Sequence, residues 1–310
     1  MSTPATLSVL LDGLIDYAGL FPPANLDMQP MVDTYRRVML DPRGWMVGRV
    51  IVPVSRLEEF ELAAQALLPD EEEADPWCIS ALASPCGSDG LAPDLDAIAR
   101  FNARHSEAGG GSAVIDVVEL KGTEAKLIDQ ALDMLPDTLF PFVEIPLDDD
   151  PRGLIAVLAG SEAAAKIRTG GVTPELYPSN SALAAFLSAS AAAGVPFKAT
   201  AGLHHPLPND NAAVPARQQG FLNVFVAAAM ALHHELAPET IEGLLESADV
   251  GSFDFAEAAV RFGTHTISLE ELEEARLGFA ISFGCCSIDE PWEDLQALGL
   301  LGEESREHVS

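Results

Sequence analysis

The stretch AVIDVVEL at residues 113–120 is almost wholly apolar and rich in β-branched residues, with single acids at Asp116 and Glu119. A run this short and this continuous reads as a parallel strand buried on both faces, because an exposed strand would alternate apolar and polar residues. VGRVIVPV at 47–54 has the same character. Working outward, comparable runs occur at Leu14–Ala18, Val47–Val54, Trp77–Ala83, Val114–Leu120, Leu139–Ile145, Ala164–Thr169, Pro196–Ala201 and Phe279–Phe283. Helical patterns lie between them at Met28–Met39, Leu57–Leu68, Asp94–His105, Glu124–Leu135, Pro151–Leu158 and Ser181–Ala193. Strands alternating with helices predict a parallel sheet, and eight such units predict a closed (β/α)8 TIM barrel spanning 1–310 as one domain.

Two segments break the rhythm. Ser84–Pro93 (SPCGSDGLAP) reads as a loop, and 204–277 is too long for one strand–helix unit. The latter holds an Ala-rich helix near Leu222–Leu236, a second after Pro238, and a third opened by Ser268 with Glu271 three residues on, a capping box. The sequence therefore predicts a helical insertion before the last strand. The acidic run Asp70–Asp75 reads as a solvated loop and the polar tail 302–310 as frayed.

Charge bounds the partners. The 310 residues carry 48 acids against 17 bases, a formal net charge of −31, yet 48% of them are hydrophobic. The chain can bury a core, and its field repels nucleic acid and anionic membranes. No apolar run reaches the roughly 18 residues of a membrane span, and the start MSTPATLSVLLDGL has no basic region of a secretory signal. Cys78, Cys86, Cys285 and Cys286 form no CxxC pair and read as reduced thiols. The expected location is cytoplasmic. The acidic, lysine-poor surface is that of a halophilic protein: self-repulsion should loosen the fold at low ionic strength and salt should relieve it. The melting temperature should therefore rise by several degrees between low and molar salt in a calorimetric melt, and an unchanged value would contradict this.

Only four lysines occur, Lys121, Lys126, Lys166 and Lys198. Two lie inside apolar strands, in AAKIRTGG and PFKATAG. In a barrel the chemistry sits at the C-terminal ends of the strands. Polar residues falling there include Asp16, Asp116 with Glu119, Glu144, Lys166 with Arg168, Lys198, and Ser282 with Ser287. Burial lowers a lysine pKa and a second cation lowers it further; the neutral amine is a nucleophile that forms Schiff bases with carbonyls. Lys166 and Lys198 are the candidate catalytic lysines, and Asp116, a buried carboxylate, needs a partner that a lysine would supply. The competing reading is a set of paired structural ions. Arg168, Glu144, His204, Ser282 and Tyr17 are candidate substrate-binding residues. Tyr17 belongs to DYAGLFPPAN (16–25), a rigid apolar loop suited to a substrate wall or to a subunit contact in a homo-oligomer.

LIDYAGL, VIDVVEL, AAKIRTGG and PFKATAGL, in that order, resemble the motifs of the deoxyribose-phosphate aldolase family of class I aldolases. The resemblance covers most of 14–201 and resumes near Phe279. It implies a (β/α)8 barrel, a Schiff-base lysine on the sixth strand at Lys166, and a second lysine on the seventh at Lys198. It also implies a proton-relaying aspartate at Asp116 and an aspartate after the first strand at Asp16. The implied reaction is that of a lyase on a small aldehyde or keto substrate, with no cofactor and no metal. The sequence departs from the family pattern at Arg168, at the Ala201–His205 turn and at Cys285–Cys286, which leaves the phosphate cradle of that family without a counterpart. One alternative is a metal-dependent barrel lyase using His204 or His205 with Glu144, although adjacent strand residues point to opposite sides. Another is a ligand-binding barrel without catalysis.

Overall fold

A computed structural model describes residues 3–69, 75–106, 112–147, 150–210 and 213–302. Most of the acidic loop at 70–75 and nearly all of the tail at 302–310 lie outside the described residues. Eight parallel strands close a barrel: β1 (Ile15–Tyr17), β2 (Val47–Pro53), β3 (Trp77–Leu82), β4 (Ala113–Lys121), β5 (Phe140–Glu144), β6 (Ala164–Arg168), β7 (Phe197–Thr200) and β8 (Ala280–Cys285). Their order around the barrel is β1-β8-β7-β6-β5-β4-β3-β2. The predicted fold class is thus the observed one, with each strand displaced by no more than a few residues at its ends.

Side chains alternate across each strand. One set packs outward beneath the helices, including Val50, Val52, Ile79, Ala81, Val118, Leu120, Val143, Ile167, Ala199 and Phe283. A separate small cluster of Val117, Phe142 and Ala164, with Ile281 against it, fills the barrel interior below the carboxyl-terminal ends. At about 25 cal/mol per Å2 of apolar surface, these two layers supply the main drive to closure. They also fix which strand residues face inward.

The segment before β8 differs from the helical insertion predicted. It contains the helices Phe221–His234, Pro238–Glu246 and Leu269–Gly278, but also a three-stranded antiparallel sheet of Phe253–Phe255, Ala259–Phe262 and His265–Ser268. A two-residue pairing of Asn209–Asp210 with Arg217–Gln218 precedes them. The sheet forms because Phe253, Val260, Phe262 and Ile267 are buried at period two, with Gly263 at φ +60° in the tight turn. The capping box at Ser268 and Glu271 is present as predicted. Helix Phe221–His234 is buried along 221–231, and Phe225 stacks on Phe197 of β7.

Arg276, on the last of these helices, ties the amino-terminal end of the barrel together. It is 9% exposed. Its Nε donates to Leu10 O at 2.9 Å and its Nη2 to Asp12 O at 2.9 Å. Its Nη1 donates to the carbonyls of Ala280 and Ile281. Burial pulls its pKa down to about 10. No helix among the described residues is long and apolar enough to cross a membrane.

Candidate active site

The inward side chains of β1 and β4–β8 meet in a belt of charge above the apolar plug. Lys166 and Lys198 occupy matching positions on β6 and β7, and Glu144 of β5 pairs in register with Lys166. Lys198 is fully buried and its Nζ lies 2.5 Å from Asp16 Oδ2 and 2.6 Å from Glu119 Oε1. The other oxygen of Glu119 lies 2.8 Å from Lys166 Nζ. Lys166 also lies 2.9 Å from Glu144 Oε2, a close ion pair that is not aligned as a hydrogen bond. Glu144 Oε1 in turn faces Arg168 Nη2 at 3.1 Å and Nε at 3.2 Å. The result is one continuous chain: Asp16, Lys198, Glu119, Lys166, Glu144, Arg168.

Neutral donors complete it. Ser80 Oγ donates to Glu119 Oε1 at 2.7 Å and Ser282 Oγ to Asp16 Oδ2 at 2.8 Å. The Arg49 backbone N–H donates to Asp16 Oδ1 at 3.1 Å. Phe142 lies beneath, its ring centroid 5.3 Å from Lys198 Nζ. Exposure rises along the chain toward the carboxyl-terminal ends of the strands: the side chains of Lys198, Lys166, Glu144 and Arg168 are 0%, 4%, 10% and 34% exposed.

The electrostatics follow from this packing. Burial pushes the Glu119 carboxyl up, but Lys166 and Lys198 outweigh it and hold the group far below the usual carboxylate range. Burial also raises Glu144, and Lys166 with Arg168 outweigh it, leaving a lowered pKa. Burial pulls Lys198 down, but Asp16 and Glu119 outweigh it, so its pKa is raised. The depressed carboxylates contribute stability that is present above their ordinary value of 4.5 and lost as pH falls toward their folded values. The raised Lys198 contributes stability that is present below its ordinary 10.5 and lost as pH rises through the higher folded value. Denaturation monitored against pH should thus show a plateau from about pH 5 to about pH 10. The acid limb should be shallower in Glu144→Gln; an identical limb would contradict the assignment.

Of the residues singled out in the sequence, Asp16, Lys166, Lys198, Glu144, Arg168 and Ser282 come together in this belt. Asp116 makes its ion pair elsewhere: its carboxylate accepts from Arg49 Nε at 2.9 Å and Nη2 at 2.5 Å. The carboxylate between the two lysines is Glu119. A bulge explains this. The pairing of β3 with β4 passes from Ile79↔Ile115 to Ser80↔Val117 and skips Asp116. Lys166 is touched by two carboxylates, so the groups in contact with it are not the second cation expected from sequence.

Tyr17 follows Asp16 and so faces away from the belt. It is 1% exposed, its ring lies parallel to Tyr35 at 6.3 Å, and burial raises its pKa to about 12. It lines a cleft of about 180 Å3 with Thr34, Arg37, Cys286 and Asp289, outside the barrel interior. His204 Nδ1 lies 2.8 Å from Glu290 Oε2 and 3.8 Å from Cys285 Sγ, whose pKa burial raises. His205 Nδ1 lies 2.5 Å from Asp294 Oδ2. The two histidines engage separate carboxylates, and no group of three or more His, Cys, Asp or Glu among the described residues is placed to hold a metal.

The strand ends beside Arg168 are shaped by glycine. Gly202 has φ +79°, and a Cβ there would lie 2.5 Å from Thr169 O; one on Gly170 would lie 2.6 Å from Gly202 Cα. The loops after β6 and β7 touch because neither residue has a side chain. Thr169 Oγ1 donates across the seam to Ala201 O at 2.5 Å.

No protein-family model matches the chain, and no curated protein matches it. Among solved structures, a double mutant of organophosphorus hydrolase from Deinococcus radiodurans aligns over 98% of this chain and 93% of its own. The identity is 11% and the TM-score 0.37. The barrel implied by the aldolase resemblance is present, and the protein takes a (β/α)8-type architecture that is consistent with an enzyme.

Proposed function

We propose that this barrel is a lyase that forms a Schiff base between Lys166 and a small aldehyde or keto substrate, making or breaking a carbon–carbon bond. The observation that supports the reading is the placement of Lys166 Nζ within 3 Å of two carboxylates, Glu119 Oε2 at 2.8 Å and Glu144 Oε2 at 2.9 Å. An amine nucleophile must shed a proton, and Glu144 is the acceptor nearest the exposed side. The neutral amine adds to the carbonyl carbon, and one of its protons moves to the new alkoxide to give the carbinolamine. Glu144 then returns its proton to the carbinolamine hydroxyl, which leaves as water, and the iminium remains. The iminium draws electrons from the neighbouring carbon, whose bond to a hydroxyl-bearing carbon breaks to an enamine and a carbonyl product as Glu144 takes the hydroxyl proton. Glu144 passes that proton to the enamine carbon, and water hydrolyses the resulting iminium to release Lys166 and the second carbonyl product. Lys198, held charged between Asp16 and Glu119, positions Glu119 against Lys166.

An iminium acidifies the adjacent C–H. The protein should therefore catalyse exchange of those protons with deuterium oxide in at least one member of a panel of small aldehydes and 2-oxo acids, followed by proton NMR. Lys166→Met should lower the exchange rate by about 1,000-fold or more, as expected for loss of a covalent nucleophile. Exchange that persists in Lys166→Met would sink the assignment.

A further inference from the structure

Three of the four lysines lie on barrel strands: Lys166 and Lys198 in the belt, and Lys121 as the last residue of β4, paired in register with Glu144 of β5. In a chain with 48 acids this concentration of cations is the reverse of the overall composition. Among the described residues the belt holds three cations, Lys166, Arg168 and Lys198, against three anions, Asp16, Glu119 and Glu144, and Lys121 lies at its edge. The most exposed members, Lys121 and Arg168, are both cations.

Arg168 is under-used by its partners. Its Nε and Nη2 converge on one oxygen, Glu144 Oε1, and its Nη1 makes a long contact of 3.4 Å to Gly170 O. A guanidinium carries five N–H donors in a planar fork suited to a bidentate carboxylate, so donors are left over. Glu144 marks the spacing. One of its oxygens meets Arg168 and the other meets Lys166. A molecule that carries a carboxylate next to a carbonyl can span the same two groups, with its carboxylate on Arg168 and its carbonyl carbon at Lys166.

We infer that the substrate is a 2-oxo acid or a closely related carboxylate-bearing carbonyl, recognised by Arg168 with Lys121 adding charge. The inference rests on the Schiff-base reading for the reaction, and on the charge arrangement alone for binding. On a chain of net charge −31, the cations Arg168 and Lys121 at the strand ends are where a small anion is held against the repulsion of the bulk surface.

The two parts separate in one experiment. Titration calorimetry of the intact protein with 2-hydroxypropanoate, which cannot form an imine, and with its neutral amide tests the anion site. The acid should bind at least tenfold more tightly than the amide. Arg168→Gln should abolish that preference and Lys121→Gln should reduce it, in variants whose melting temperatures match the parent. Equal binding of acid and amide, or a preference unchanged in Arg168→Gln, overturns the anion site. If proton exchange then proceeds with propanal, the Schiff-base reading survives that failure. An anion preference lost in Arg168→Gln, with no exchange on any carbonyl, supports the site and removes the imine chemistry instead.

Discussion

Glu119→Ala should lower the stability of this protein by about 3–5 kcal/mol, the cost of removing one member of a buried ion network. The carboxylate bridges Lys166 and Lys198, accepts from Ser80, and is 1% exposed. Its loss leaves Lys198 with Asp16 alone and Lys166 with Glu144 alone, while both ammonium groups stay out of water. At about 2.1 cal/mol/K of unfolding entropy per residue, each kcal/mol moves the melting temperature of a 310-residue chain by about 1.5 °C, so a fall of about 5–8 °C is expected. A second variant separates pairing from packing. Asp16→Asn, Lys198→Met and Glu119→Leu together remove the inner half of the network without stranding a buried charge, since Lys166 keeps Glu144, and replacement of a whole buried ion group is often near neutral. The triple variant should regain more than half of the loss. A single variant that melts within 2 °C of the parent would show that the network does not hold the barrel.

The second large effect lies at the opposite end of the barrel. Arg276→Met should cost about 3 kcal/mol or more, because four backbone carbonyls, those of Leu10, Asp12, Ala280 and Ile281, lose their donor at once. Each buried polar group left unsatisfied costs about 1–3 kcal/mol, partly offset by no longer burying a cation. Methionine keeps the contact with the Phe225 ring, 5.9 Å from the guanidinium carbon, so lost packing is a small part. Arg276→Lys should recover only a fraction, since an ammonium cannot reach four carbonyls spread over two segments. Chemical denaturation of the three proteins measures this. Equal midpoints for parent and methionine variant would contradict the latch.

Much of the barrel was legible because both-face burial leaves a plain mark: continuous apolar runs such as VGRVIVPV and AVIDVVEL. Lys166 and Lys198 stood out for the same reason, as charges where no exposed residue belongs. Asp116 and Glu119 were harder to tell apart. They are three residues apart, so a regular strand would send them to opposite faces; the bulge that shifts the register at Asp116 has no sequence signature. Parity offered a hint, since Glu119 lies two residues from Lys121 and between the outward-packing Val118 and Leu120. Parity also argued against Tyr17, the immediate neighbour of an inward Asp16. The antiparallel sheet inside the 204–277 segment was missed because its strands are three or four residues long. Runs that short do not outweigh the flanking helical patterns.

Borohydride reduction in the presence of 2-oxopropanoate or propanal, followed by peptide mass mapping, tests the central claim most directly. Reduction of an imine fixes the substrate skeleton on the lysine that formed it. A single adduct on the peptide containing Lys166, absent from Lys166→Arg, is the predicted result. An adduct on Lys198 alone, or no adduct with any carbonyl tried, would contradict it.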